Sequence, residues 1–218
     1  MSFTKTFHRP LLFAIWLLAA LVAVNFTSAH AQTNSSKGNY EYATLGGGCF
    51  WCVEAIYENV QGVIDVESGF AGGHVENPSY RQVITGRTGH AEVVRITYDP
   101  AVVSYETILE VFWHTHDPTT LNRQGNDIGP QYRSAIFYAN EKQRSIAEAS
   151  RKNVEDEKLW KNSIVTTLEP LNSYTTAEDY HQDYFENNPR QSYCAFVIAP
   201  KVKKFKKEFA HLLKNADS

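Results

Sequence analysis

The chain has 218 residues, 43% of them hydrophobic, which is enough for a sizeable core in a single domain. A formal charge of −3 gives no reason to expect a nucleic-acid partner. Three cysteines, an odd and low number, exclude a disulfide-stapled scaffold and leave at least one thiol over.

The N-terminus reads as a targeting segment. Lys5 and Arg9 supply a positive start, Leu11 to Val24 is an unbroken apolar run, and Ala29-His30-Ala31 is a small-x-small cleavage pattern. The run is shorter than the ~20 apolar residues that a membrane span needs. Residues 1–31 are therefore expected to be a secretory signal peptide, and the product to be exported, periplasmic or secreted. Cleavage near Ala31 removes two cations and no acid, taking the charge from −3 to −5. Residues 32–42 are expected to be a flexible leader, and 43–215 a single catalytic domain.

Tyr42 to Leu45 reads as a strand. Gly46, Gly47 and Gly48 follow, and then Phe50, Val53, Ile56, Tyr57 and Val60 recur at helical steps. Cys49 thus falls where a strand turns into a helix. Unpaired N–H groups and the positive end of the helix dipole favour an anion there, so its thiol is expected to lose its proton readily. The glycines leave room for close approach to the backbone.

Val63 to Phe70 alternates as a strand and ends at Gly72-Gly73. Residues 74–90 show no period, and a loop of that length in a compact domain is usually either functional or mobile. Ala91 to Tyr98 is a clean strand. Ser104 is placed to cap a helix that runs through Ile108, Phe112 and Trp113. A polar loop, 119–131, precedes a strand at 132–138. Asn140 then caps a helix at 141–159, with Ile146, Ala149 and Val154 facing inward. A short strand is expected at 164–168. An aromatic, polar stretch from Tyr174 leads to Cys194. The closing helix, 201–214, sets Val202, Phe205, Phe209 and Leu212 against a lysine face.

This order predicts an α/β (α+β) fold. It would be a ferredoxin-like split βαβ core with a long C-terminal tail and terminal helix wrapped on it. No second C-x-x-C supports a metal site; no metal and no cofactor are expected.

Cys49-Phe50-Trp51-Cys52 is a C-x-x-C at a helix start. One helical turn separates the two sulfurs, so a disulfide is geometrically allowed. Cys52 reads chiefly as a core residue beside Val53, and a redox role stays open. Taken residue by residue, other roles are open too. Glu92 fits a solvent-facing strand position, Tyr80 and Tyr132 fit a core, and Asp127 fits a turn. A dithiol oxidoreductase using Cys49 and Cys52, or a binding module using a Phe50–Trp51 pocket, would account for the same residues.

Six motifs occur in order: Gly48-Cys49-Phe50-Trp51, Asn77-Pro78-Ser79-Tyr80, Thr85 to Val94, His116-Asp117-Pro118-Thr119, Asn122 to Asp127, and Gln131-Tyr132-Arg133-Ser134. Together they closely resemble the type A peptide methionine sulfoxide reductases, from about Ala43 to Leu213. The resemblance implies reduction of methionine-(S)-sulfoxide, in proteins or free. It implies Cys49 as nucleophile and Glu92 as the acid that protonates the sulfoxide oxygen. Tyr80 and Tyr132 would hydrogen-bond that oxygen, and Asp127 would belong to the same polar network. Phe50 and Trp51 would form the slot for the substrate methyl group, with Gly48 beside it. Cys194 would resolve a Cys49 sulfenic acid to a Cys49–Cys194 disulfide, which a thioredoxin-like dithiol partner then reduces. A monomer is expected. His181 matches a family motif and is expected to be structural. Pro130, and Ser173 to Thr176, depart from the usual pattern.

Overall fold

The computed structural model describes residues 1–3 and 39–214. Apart from residues 1–3, the expected signal peptide lies outside the described residues, as does most of the leader. Among the described residues no helix is long and apolar enough to cross a membrane.

In chain order the elements are β1 (Glu41–Gly47), α1 (Phe50–Tyr57), β2 (Val63–Ala71), α2 (Tyr80–Val83), β3 (Ala91–Tyr98), α3 (Tyr105–Thr115) and a two-rung ladder of β4 (Arg123–Gln124) with β5 (Asp127–Ile128). Then come β6 (Ser134–Tyr138), α4 (Glu141–Asp156), β7 (Thr167–Pro170), β8 (Tyr174–Thr176), α5 (Tyr184–Asn187) and α6 (Ala199–Glu208). The main sheet runs β7-β6-β1-β3-β2-β8. Its inner four strands, β6-β1-β3-β2, pair antiparallel and are linked through α1 and α3, as a split βαβ core requires. β7 adds to β6 in parallel and β8 adds to β2 antiparallel, so the tail extends both edges.

Side-chain alternation divides the sheet into two faces. Leu45, Val94, Ile96 and Ile136 join the main core with α1 and α3. Val93, Ala135 and Phe137 form a second cluster with Leu171 and Tyr174. Phe205 and Phe209 reach the main core from the tail. Both expected caps are present: Ser104 Oγ accepts from Thr107 N–H at 3.1 Å, and Asn140 Oδ1 accepts from Gln143 N–H at 2.9 Å.

Several local expectations are corrected. β1 begins at Glu41, inside the segment expected as leader, because Tyr98 Oη donates to Glu41 Oε2 at 2.9 Å and the ladder with β3 reaches that far. The long 74–90 loop holds α2, closed by a capping box between Ser79 and Gln82. On α4 it is Ala147, not Ala149, that is buried with Val154. The strand expected at 164–168 lies at 167–170, where it finds β6 as partner. The terminal helix starts earlier, at Ala199, and a π-turn at Cys194–Ile198 leads into it.

Candidate active site

Glu92 is positioned by strand period. It lies two residues before Val94 and four before Ile96, on the face that meets α1. It pairs in register with Phe70 and is 1% exposed, so the solvent-facing alternative is excluded. Cys49 is the N-cap residue of α1, with no side-chain capping bond of its own. Glu92 supplies the missing acceptor: Phe50 N–H donates to Glu92 Oε2 at 3.1 Å. The strand acid and the helix-start thiol therefore share one corner of the core. Burial pushes the Glu92 carboxyl up to about 8, against the Phe50 hydrogen bond, which acts the other way. At neutral pH its acid form prevails.

The thiol corrects an expectation. Position at the helix start does not make Cys49 acidic in the substrate-free protein. Burial pushes it up first, with contributions from the Cys52 thiol and from the Glu92 charge, while the Tyr193 hydroxyl favours the thiolate. Desolvation outweighs the partial charge of a short helix. Cys52 is displaced downward, because it interacts with the Cys49 thiol and with the Lys201 charge.

Tyr80 and Tyr132 come from two separate elements, Tyr80 as the first residue of α2 and Tyr132 from the 3₁₀ turn Pro130–Tyr132. Both are half-buried, and both hydroxyls are pushed up by burial and by the Glu92 and Cys49 charges. They stay protonated and can donate. Phe50, Trp51, Tyr80 and His181 form one aromatic group, with Trp51 stacked on Tyr184 at 3.7 Å and 7°. Asp127 lies on β5, and its Oδ2 accepts from Tyr193 Oη at 2.6 Å. Its charge bears on Glu92 and Tyr132.

Gly48 is needed for a reason other than substrate approach. Its φ is +93°, and a Cβ there would sit 2.5 Å from Gln124 Cγ. Gln124 is in turn locked to the His116-Asp117-Pro118 loop: its Oε1 accepts from Asp117 N–H and its Nε2 donates to Asp117 O, both at 3.1 Å. His116 is buried and neutral, pushed down to about 4 by burial. It ties α3 to β6 through Phe112 O and Ser134 Oγ, both at 2.7 Å. Two motifs that match the family thus act as scaffold for the cysteine turn.

Tyr193, Gln124, Glu178 and Gln182 had no assigned role in the sequence. Tyr193 Oη contacts Cys52 Sγ at 3.8 Å as well as Asp127. Glu178 Oε1 accepts from Tyr80 N–H at 3.0 Å and so fixes α2. Gln182 holds β2 through both backbone groups of Ser68. Adjacency to Cys194 was the one signal that could have pointed to Tyr193. Cys194 is 0% exposed, Cys49 is 8% exposed, and all three cysteines are free thiols. A concavity of about 640 Å³ lies around Trp160 and has no thiol in its lining. Among the described residues no cluster of side chains could hold a metal ion.

A cysteine at a helix start, a buried acid against it, two phenols and an aromatic wall thus stand together on a ferredoxin-like frame. The model of the family described as "Peptide methionine sulfoxide reductase" matches residues 41–213. The chain belongs to that family and is a peptide-methionine (S)-S-oxide reductase. It is 56% identical over 174 residues to the peptide methionine sulfoxide reductase MsrA of Saccharolobus solfataricus, spanning 80% of this chain and 97% of that one. It is 52% identical over 186 residues to that of Ralstonia nicotianae, spanning 84% and 97%. The solved reduced form of Mxr1 from Saccharomyces cerevisiae superposes with a TM-score of 0.66 at 32% identity, covering 71% of this chain and 89% of that one. Methionine sulfoxide reductase A of Corynebacterium diphtheriae gives 0.62 at 38% identity, covering 72% and 78%.

Proposed function

We propose that Cys49 attacks the sulfur of methionine-(S)-sulfoxide, free or in a protein, while Glu92 delivers its proton to the sulfoxide oxygen. The observation that carries this is the Glu92 carboxyl held against the first turn of α1, buried and protonated beside the thiol. A sulfoxide oxygen leaves poorly unless protonated, and a placed acid is typically worth ~10²–10⁴ in rate. Tyr80 and Tyr132 donate to the same oxygen, and Phe50 and Trp51 hold the methyl group. The thiol proton passes to solvent as substrate arrives, and Glu92 regains a proton from solvent once methionine has left. Oxygen and proton end on Cys49 as a sulfenic acid, and methionine leaves as the thioether.

Cys194 then attacks the sulfenic sulfur, water leaves, and a Cys49–Cys194 disulfide forms. A thioredoxin-like dithiol reduces it and is itself oxidised. Cys194 is sealed, so the Tyr193–Cys194 turn must open for this step. The enzyme works as a monomer in an exported compartment, repairing oxidised proteins there. The apolar run at Leu11 to Val24 supports export, and N-terminal sequencing of the mature protein is expected to begin at Gln32.

The test is turnover on separated S and R methionine sulfoxide with dithiothreitol, then with a thioredoxin system. Reduction of the S form alone is expected. Failure to reduce either isomer overturns the proposal.

A further inference from the structure

The π-turn Cys194–Ile198 and α6 form one unbroken helix, with helical backbone at Ile198 and Ala199 where they join. Its inner side is Cys194, Ile198, Val202, Phe205 and Phe209, all buried. Its outer side carries Phe196, Pro200, Lys203 and Lys207, all exposed and spaced at the three- and four-residue steps of one stripe. Among the described residues α6 holds one ion pair, Lys204 Nζ to Glu208 Oε1 at 3.7 Å, so the Lys203 and Lys207 charges are unpaired. A single exposed aromatic side chain is ordinary on a protein surface. Phe196, however, is 81% exposed on the same turn as a sealed thiol. Two residues of chain span at most ~7 Å, so Phe196 travels with Cys194 however the turn opens.

We propose that this stripe is where the dithiol reductant docks. Phe196 presses on the apolar surface around the partner's dithiol, and Lys203 and Lys207 face acidic groups on its flank. The proposal rests on the recycling reading above and names the surface that recycling needs. The partner's sulfur must come to a bond that involves Cys194, so its surface meets whatever projects beside that residue. Aromatic anchors carry much of the binding energy at interfaces, and cations at the rim speed the encounter. Redox partners meet transiently over small areas, below about 1,200 Å², so a helix face beside the thiol is on the right scale. A polypeptide substrate fits this stripe less well. Its oxidised side chain goes to the aromatic group at the start of α1, which is built from Phe50, Trp51, Tyr80 and His181 without Phe196.

The test uses the full enzyme with methionine-(S)-sulfoxide in excess, and varies thioredoxin kept reduced by its reductase and NADPH. Phe196→Ala is expected to raise KM for thioredoxin about tenfold. Its turnover with dithiothreitol and its single-turnover methionine release are expected to match wild type. The double variant Lys203→Glu/Lys207→Glu is expected to lower kcat/KM for thioredoxin and to abolish the decline that wild type shows as salt is raised. An unchanged thioredoxin KM in Phe196→Ala overturns the inference. An equal loss with dithiothreitol overturns it too, since Phe196 would then be structural. Two other results also overturn it, each with thioredoxin kinetics intact. One is a higher KM for a sulfoxide-containing peptide, which gives the stripe to the substrate. The other is lysine-dependent sedimentation with phosphatidylglycerol vesicles, which gives it to a membrane. If wild type turns over with dithiothreitol but not with thioredoxin, the docking inference fails and the reductase reading stands. If wild type turns over with neither, the reductase reading itself fails.

Discussion

Glu92 lies under two opposing influences, burial that keeps its proton on and the Phe50 N–H that favours its anion, and burial prevails. The Glu92→Gln variant keeps the shape and loses the transferable proton. Single-turnover methionine release is expected to fall by ~10²–10⁴. The acid form of Glu92 is depleted as pH rises through about 8, so the wild-type reduction step should decline above that pH. A stopped-flow pH profile checks both, and a Glu92→Gln variant that keeps a wild-type rate rules out the acid role. Only part of this was legible in the sequence. A strand was clear at 91–98, but which of its faces was buried depended on where α1 lay.

The strand-to-helix turn at Cys49 is held from below by the 116–124 loop. Gly48→Ala puts a Cβ into Gln124 and also strains a left-handed backbone. We expect about 1–3 kcal/mol of lost stability and a parallel loss of turnover. Chemical denaturation and steady-state kinetics measure the two, and an unchanged unfolding midpoint would remove Gln124 as the reason for the glycine. On the same helix Glu54 Oε1 accepts from Ser68 Oγ at 3.0 Å, and burial pushes its carboxyl up to about 8. Its folded value lies above its unfolded one. The folded state thus holds the proton more tightly, and wild-type stability falls as pH rises from the ordinary carboxylate range to about 8. Glu54→Gln is expected to flatten that slope. Denaturation midpoints at pH 5 and pH 9 test it, and an identical slope in both proteins would show that Glu54 does not titrate in this interval. Helix and strand periods revealed these elements. The short pieces, α2 and the β4–β5 ladder, were not visible, since four or two residues carry no period.

Across the whole molecule, the C-terminal tail completes the core. Phe205 is 1% exposed and packs with Phe209 at 5.5 Å between ring centres. Phe205→Ala is expected to cost about 3–5 kcal/mol, the range for a buried aromatic truncated to Ala. It should also loosen the π-turn that carries Cys194, which proteolysis near residue 194 would report. A stability change under about 1 kcal/mol would mean that the tail docks independently of the core. Periodicity, glycine placement and motif order were enough to establish the split βαβ frame, the position of Cys49 at a helix start and the terminal helix, because each is written in local spacing. Which groups meet was decided by three-dimensional packing. Glu92 shares a corner with Cys49, Gln124 fills the space beside Gly48, and Tyr193 bridges Asp127 and Cys52. Packing also raised the Cys49 thiol where position on the helix alone would lower it, because desolvation depends on every neighbour and no local pattern records that.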